Sequence, residues 1–327
     1  MKYTTLGRTG LRVSRLCLGT FNFEWMTDKK EEMLILDKAY DSGINFIDTA
    51  DIYGGSGTGV GTVEDTLGDW ISEDPQKRDK TVLATKVCFS MGNGCNDEGL
   101  SAYHIIRACE DSLKRLRTDR IDLYYLHRLD RKANWDEIWQ ALETLILQGK
   151  ILYAGTSNFA GWQIVQGQHN ALQKKMLGFV ADQSRYNLVS RLPEIELLPA
   201  LASLGMGLMP WSPIAGGLLA GQPGKDEVGR RSRPSKQKEM DTYSHQLDNY
   251  ARLCQSNNMK PSEVALAWLL KNLVVTAPVI GPRTVSQLES NIHSVEIQLP
   301  DVMVEEIEAI WPGYQKAPEI YAPSVYQ

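Results

Sequence analysis

Several common chemistries have no foothold in this sequence. No two of its five cysteines (Cys17, Cys88, Cys95, Cys109 and Cys254) are spaced as CxxC, and their number is odd. A thiolate metal site and a complete disulfide framework are therefore not expected, and free thiols in a reducing cytoplasm are. No stretch satisfies GxGxxG, because the glycines of "GGSGTGVG" (54–61) miss the third position, and GxxxxGK is absent. An open dinucleotide-binding sheet or a P-loop is not predicted. No apolar run reaches membrane-spanning length: "VALAWLL" (264–270) stops at Lys271 and Asn272. The opening "MKYTTLGRTG" carries no apolar secretion core. A formal charge of −5 leaves no basic excess for a nucleic-acid or membrane surface.

What is present suits a globule. The chain has 327 residues, 43% apolar and 23% charged, enough to bury a large core. A small hairpin turning at Gly7–Gly10 comes first. Short apolar or β-branched runs then alternate with longer amphipathic ones. The predicted strands are "RLCLG", "NFIDT", "TVLATK", "IDLYYLH", "KILYAGTS", "GFVADQ", "GLMPWS" and "APVIG". Predicted helices include "DKKEEMLILDKAYDSG", Ser101 to about Leu116, "WDEIWQALETLILQG" closed by Gly149, "PEIELLPALASLG" and "TVSQLESNIHS". A polar insertion, about Gly216–Asp241, precedes two further helical stretches, "TYSHQLDNYARLCQS" and "PSEVALAWLLKN". Eight strand–helix units without a composition break predict one domain over residues 1–327. Its fold class is α/β, a closed (β/α)₈ TIM barrel with an N-terminal β-hairpin and extra helices near the C-terminus.

Such a barrel carries its chemistry at the C-terminal strand ends. Those ends hold Asp48, Asp51 and Tyr53 after strand two, Lys86 after strand three and His127 after strand four. Strand five ends in Ser157 and Asn158, strand six in Gln183, and strand seven in Trp211 and Ser212. A lone tyrosine is a poor acid at neutral pH, but an adjacent lysine ammonium favours its phenolate. Asp48 would hold Lys86 charged, and His127 would donate to a carbonyl oxygen as negative charge develops. Together these groups polarise a carbonyl and protonate the resulting alkoxide, and they need a bound hydride donor. Ser157, Asn158 and Gln183 suit a nicotinamide carboxamide, and Trp211 suits its ring. "GPRTVSQLESN" (281–291) opens a helix whose positive end, with Arg283, suits an anionic 2′-phosphate. Asp51 is read as a capping or loop-pinning residue without a chemical role.

The segments "GINFIDTADIYG", "LATK", "IDLYYLH", "GTSNF", "DQSRYNL", "PWSPIAGGLLAG" and "IGPRTVSQLESN" resemble, in order, the signature segments of the aldo-keto reductase superfamily. The resemblance implies a (β/α)₈ barrel binding NADPH in extended form, NADH less well, and a tetrad of Asp48, Tyr53, Lys86 and His127 with Tyr53 as general acid. It implies that Gly19 and Thr20 lie by the nicotinamide half, with Ser157, Asn158 and Gln183 on the carboxamide and Trp211 under the ring. It puts Ser212, Pro213, Gly217 and Leu218 along the pyrophosphate, and Gly281, Arg283, Gln287 and Asn291 around the adenosine phosphate. Two positions depart from the pattern. Ser290 stands where many members have glutamate, and Gln222 where a basic residue is frequent; the cluster "GRRSRPSKQK" (229–238) offers replacement charge.

The likeness is to the branch with tryptophan under the nicotinamide, and "NFAGWQI" and "APVIGPRT" are similar to reductases linked to deoxysugar biosynthesis. The expected partner is a small-molecule carbonyl, with Phe21, Trp25 and Phe89 lining its pocket. Two alternatives remain open at this stage: a cofactor-binding regulatory or redox-sensing subunit, and an enoyl reductase of a conjugated substrate.

Overall fold

The computed structural model describes residues 1–54, 59–221 and 234–322. A two-stranded antiparallel hairpin, β1 (Tyr3–Thr5) and β2 (Arg12–Ser14), precedes the barrel. The barrel strands are β3 (Cys17–Gly19), β4 (Phe46–Asp48), β5 (Val82–Val87), β6 (Ile121–Leu126), β7 (Ile151–Ser157), β8 (Phe179–Gln183), β9 (Gly207–Leu208) and β10 (Val279–Ile280). They pair in parallel in chain order, with β10 beside β3. A bridge between Leu208 and Val275 joins β9 to the chain entering β10 and closes the ring. The expected (β/α)₈ barrel, with its hairpin, is the fold observed.

The helices of the units are α1 (Lys29–Asp41), α2 (Thr62–Ser72), α3 (Pro75–Lys80), α4 (Ala102–Arg115), α5 (Trp135–Leu147), α6 (Gly161–Gln173) and α7 (Leu197–Leu204). Then follow α8 (Pro234–Thr242), α9 (Ser244–Ser256), α10 (Pro261–Lys271), α11 (Val285–His293), α12 (Asp301–Ile310) and α13 (Ala317–Tyr321). Side-chain caps fix several starts: Asp28, Ser101, Asn134 and Thr284 each accept from a backbone N–H in the first turn. Gly149, at φ 70, follows the end of α5 as expected.

Three sequence readings change. The stretch read as one helix from Pro193 breaks into a 3₁₀ turn (Leu192–Glu194) and α7. The polar insertion contains a 3₁₀ segment (Ala215–Ala220) and α8, while residues 222–233, including Gln222 and the first half of the basic cluster, lie outside the described residues. The tail beyond Pro312, read as loop, contains α13.

Two cores result from the strand alternation. Side chains facing outward pack on the helices, led by the buried Trp70, Trp139 and Tyr124. Side chains facing inward fill the barrel with Cys17, Phe46, Val82, Ala84, Leu123, Ala181 and Met209, and the hairpin adds Leu6 and Val13 as a plug at its floor. Gly7 makes that plug possible. Its φ is +52, and a Cβ there would lie 2.4 Å from the Val180 carbonyl oxygen.

Candidate active site

The inward positions change character one pleat above the floor. On β4, Phe46 gives way to Asp48; on β5, Ala84 gives way to Lys86; on β8, Ala181 gives way to Gln183. Lys86 is fully buried and spends all three ammonium donors, on Asp48 Oδ2 and the Thr49 carbonyl at 2.7 Å each and on Tyr53 Oη at 3.3 Å. Gln183 Nε2 donates to the other Asp48 oxygen at 2.8 Å. Burial alone would drive the Lys86 proton off, yet Asp48 and Tyr53 outweigh it and hold the lysine above its ordinary range. Each member is therefore fixed by at least one other, and the ammonium is aimed at the phenol oxygen.

His127 follows β6, its N–H bonded to the Val87 carbonyl at 2.9 Å. Its ring centroid lies 6.0 Å from that of Tyr53 and 4.7 Å from that of Phe89. Burial, then Lys86 and Arg128, push the imidazole well below its usual pKa, so it is neutral. Its Nδ1 is buried without a hydrogen-bond partner among the described residues.

These groups open into a cavity of about 910 Å³. At its near end Ser157 donates to the Gln183 carbonyl at 2.8 Å. Asn158, in the left-handed region at φ 62, donates to Ser157 Oγ and to the His127 carbonyl and accepts from Trp211 Nε1 at 2.9 Å. The indole is thus pinned to the loop that follows β7. Beyond it the chain turns through Ser212, Ala215, Gly216 and Gly217, all with positive φ, and the two glycines add no side chain to the wall. Lys236 of α8 lies over this turn: a Cβ on Gly216 would meet Lys236 Cε at 3.1 Å, and the ammonium bonds Glu239 at 2.6 Å. This is the described end of the basic cluster; Gly229–Arg233 lie outside the described residues.

The far end is built by the start of α11. Gly281, Arg283, Gln287 and Asn291 all border the cavity, as do Gly19, Gln183, Ser212, Pro213 and Gly217 nearer the strands. A Cβ on Gly19 would lie 2.5 Å from Val279 Cγ1, and one on Gly281 would press on Asn22 Nδ2 at 3.0 Å. Ser290 is on the wall, its hydroxyl donated to the buried Glu263 at 2.6 Å. Phe21, Trp25 and Phe89 line the mouth, Phe21 meeting Tyr53 edge-on at 5.2 Å and Trp25 at 5.6 Å.

Two residues named for the cofactor path do not turn their side chains into the cavity; for Leu218 the expectation concerned the backbone. Thr20 is fully buried with its hydroxyl on the Asp48 carbonyl, and Leu218 turns its side chain into the helix-packed core. Asp51 is wholly buried behind the barrel beside Glu64 and Arg115, its N–H on the Lys86 carbonyl. Cys88 is buried and its thiol pushed up by that burial, despite Arg128, so it is not a reactive thiol. Asn22, which ties its amide to the Gly281 carbonyl at 2.6 Å, and Ile52, Ser262 and Leu266 line the cavity without having been singled out in the sequence. Only Asn22 had a local signal, a polar residue in the aromatic run "FNFEW" after the first strand.

The family description "Aldo/keto reductase family" matches residues 15–312. The chain belongs to the aldo/keto reductase family. It is an oxidoreductase of that family, and it is 48% identical to "Uncharacterized oxidoreductase YrpG" of Bacillus subtilis (strain 168), with 98% of this chain and 100% of the relative covered. It is 35% identical to "Norsolorinic acid reductase stcV" of Emericella nidulans, covering 91% of this chain and 78% of that one. It is also 32% identical to "Probable voltage-gated potassium channel subunit beta" of Oryza sativa subsp. japonica, over 98% and 100% of the two chains. Among the described residues, no helix of this aldo/keto reductase is long and apolar enough to cross a membrane.

Proposed function

We propose that the protein reduces an aldehyde or ketone to an alcohol, using NADPH, with Tyr53 as the general acid. The observation that carries this reading is the Lys86 ammonium, 2.7 Å from Asp48 and 3.3 Å from Tyr53 Oη. It sits at the closed end of a cavity of dinucleotide proportions. A carbonyl oxygen between Tyr53 and His127 would meet two neutral donors, the phenol and the imidazole N–H. As the carbonyl carbon accepts a hydride, charge grows on that oxygen and both hydrogen bonds strengthen. Tyr53 then gives its proton to the oxygen, and Lys86 stabilises the phenolate left behind.

The donor set fits a nicotinamide dinucleotide, which when bound supplies the hydride. Trp211, held by Asn158, offers a flat face for a ring; Ser157 and Gln183 offer polar edges; Gly216 and Gly217 carry no side chain where a pyrophosphate would pass; Arg283 and the α11 N-terminus suit a 2′-phosphate. Lys236, paired with Glu239, places an ammonium beside Gly216. The printed name of the Emericella nidulans relative, a reductase, agrees with carbonyl reduction. The cysteines, free among the described residues, fit a reducing cytoplasm.

The test is consumption of NADPH, and separately NADH, over a panel of aldehydes, ketones, keto-sugars and one enone, with product analysis. Alcohol formed from carbonyls with preference for NADPH is expected. No consumption across the panel, or saturation of only the carbon–carbon double bond, would overturn the reading.

A further inference from the structure

Away from the tetrad, a second set of buried carboxyls lies beneath the loop between β3 and α1. Glu32, on the first turn of α1, has no exposed surface and accepts the backbone N–H of Glu24. Glu24 holds the left-handed conformation at φ 57, which a side-chain-bearing residue rarely adopts. Its own Oε1 accepts the Thr66 hydroxyl of α2 at 2.8 Å. The remaining oxygens, Glu24 Oε2, Glu32 Oε2 and Thr27 Oγ1, are buried with no hydrogen-bond partner among the described residues. Buried carboxylate oxygens are costly to leave in that state. This same loop carries Phe21, Asn22 and Trp25 into the cavity wall beside Tyr53.

We propose that Glu32 is a positioning residue for this loop and acts as a neutral acid, so that its ionisation loosens the wall formed by Phe21 and Trp25. Among the described residues neither Glu24 nor Glu32 is in an ion pair, and Lys29 lowers the Glu32 carboxyl only as a lesser cause. Lys29 is shared with Asp69 of α2 at 3.2 Å, and Asp28 adds a further negative charge. From α2, Glu24 receives the Thr66 hydroxyl. On the side of α11, Glu31 accepts the Val285 N–H at 2.8 Å and Lys38 is paired with Glu289 at 2.7 Å.

A protonated Glu32 keeps one oxygen for the Glu24 N–H and gains a donor for an unpartnered oxygen nearby. An ionised Glu32 faces a like charge on Glu24 inside the protein. The helix cannot yield, because Ile35 and Leu36 anchor it in the core, so the loop does. Burial raises the Glu32 carboxyl to about 7; the Glu24 N–H opposes the rise and the Glu24 charge adds to it. The acid is therefore neutral below that pH, and the loop tightens there.

Hydrogen–deuterium exchange of the peptide spanning 20–28, corrected for the intrinsic rate, tests this on the full chain. Wild-type protection should fall roughly three- to tenfold between about pH 6 and about pH 8. Glu32→Gln, which keeps the acceptor without the charge, should hold the low-pH protection at both, and Glu32→Ala should lose it at both. Glu24→Gln removes the like charge and should shrink the pH response without abolishing it, which keeps the test decisive if Glu32→Gln folds poorly. Equal wild-type protection at both pH values, or an unchanged pH response in the glutamine variants, overturns the proposal. Since exchange needs no turnover, this result stands or falls apart from the reductase reading.

Discussion

The floor and the mouth of the barrel are built on the same strands two residues apart, yet they do different work. At the floor, Phe46, Ala84 and Ala181 share one apolar core with Leu6 and Val13 of the hairpin, and every one is fully buried. At the mouth, Asp48, Lys86 and Gln183 occupy the next inward positions and are just as buried. Burial there is not a gain, because each charge or amide has to be met by a partner before it can leave water. The floor stores stability that the mouth uses. The contrast also explains why "NFIDT" starts as a core strand and ends in an acid.

Paired substitutions sharpen that contrast most. Phe46→Ala should cost about 3–5 kcal/mol of stability while leaving kcat of the folded enzyme nearly unchanged. Lys86→Met should cost a similar ~3–5 kcal/mol, because it strands a buried Asp48, and should also abolish turnover. Denaturant titration alongside steady-state rates separates the two, and equal loss of kcat in both would break the comparison. Adding Asp48→Asn to Lys86→Met should recover part of the stability and none of the activity.

A smaller effect isolates the plug. Gly7→Ala forces a Cβ into the left-handed region against the Val180 carbonyl, and should cost about 1–3 kcal/mol with kcat and KM unaltered. A shift in KM would mean that the floor is felt at the mouth.

The smallest concerns His127 and pH. Its folded pKa is depressed well below the ordinary value, whereas the unfolded imidazole takes a proton near 6.5. The unfolded chain then binds more protons as pH falls, so this residue lowers stability on the acid side of about pH 6.5. Between about pH 7.5 and about pH 5, wild type should lose roughly 1–2 kcal/mol more than His127→Gln. Urea midpoints at the two pH values measure the difference, and parallel losses would place a charged imidazole at the mouth.

The barrel was legible because its strands are apolar runs that end in polar residues, and the tetrad because it stands at those ends. What escaped had no such pattern. The helix α8 buries no side chain, so no apolar stripe marks it. The short α3 is held by the Asp74 cap and by Arg78, whose guanidinium bonds Thr118 and the Thr81 and Arg120 carbonyls; none of this is hydrophobic periodicity. Thr20 lies in a segment that borders the cavity, and only the backbone path decides that its hydroxyl turns to the Asp48 carbonyl. Contacts such as Gln183 to Asp48, or Ser290 to Glu263, join distant segments and leave no trace in local spacing.

The central claim is that Tyr53 supplies the proton at a site whose binding of dinucleotide does not depend on that hydroxyl. Tyr53→Phe, loaded with NADPH and mixed with a good aldehyde in a single turnover, tests it directly. The account predicts NADPH affinity within about twofold of wild type and a fall of about 10²–10⁴ in the rate at which the reduced-nicotinamide absorbance decays. Decay at the wild-type rate would contradict it.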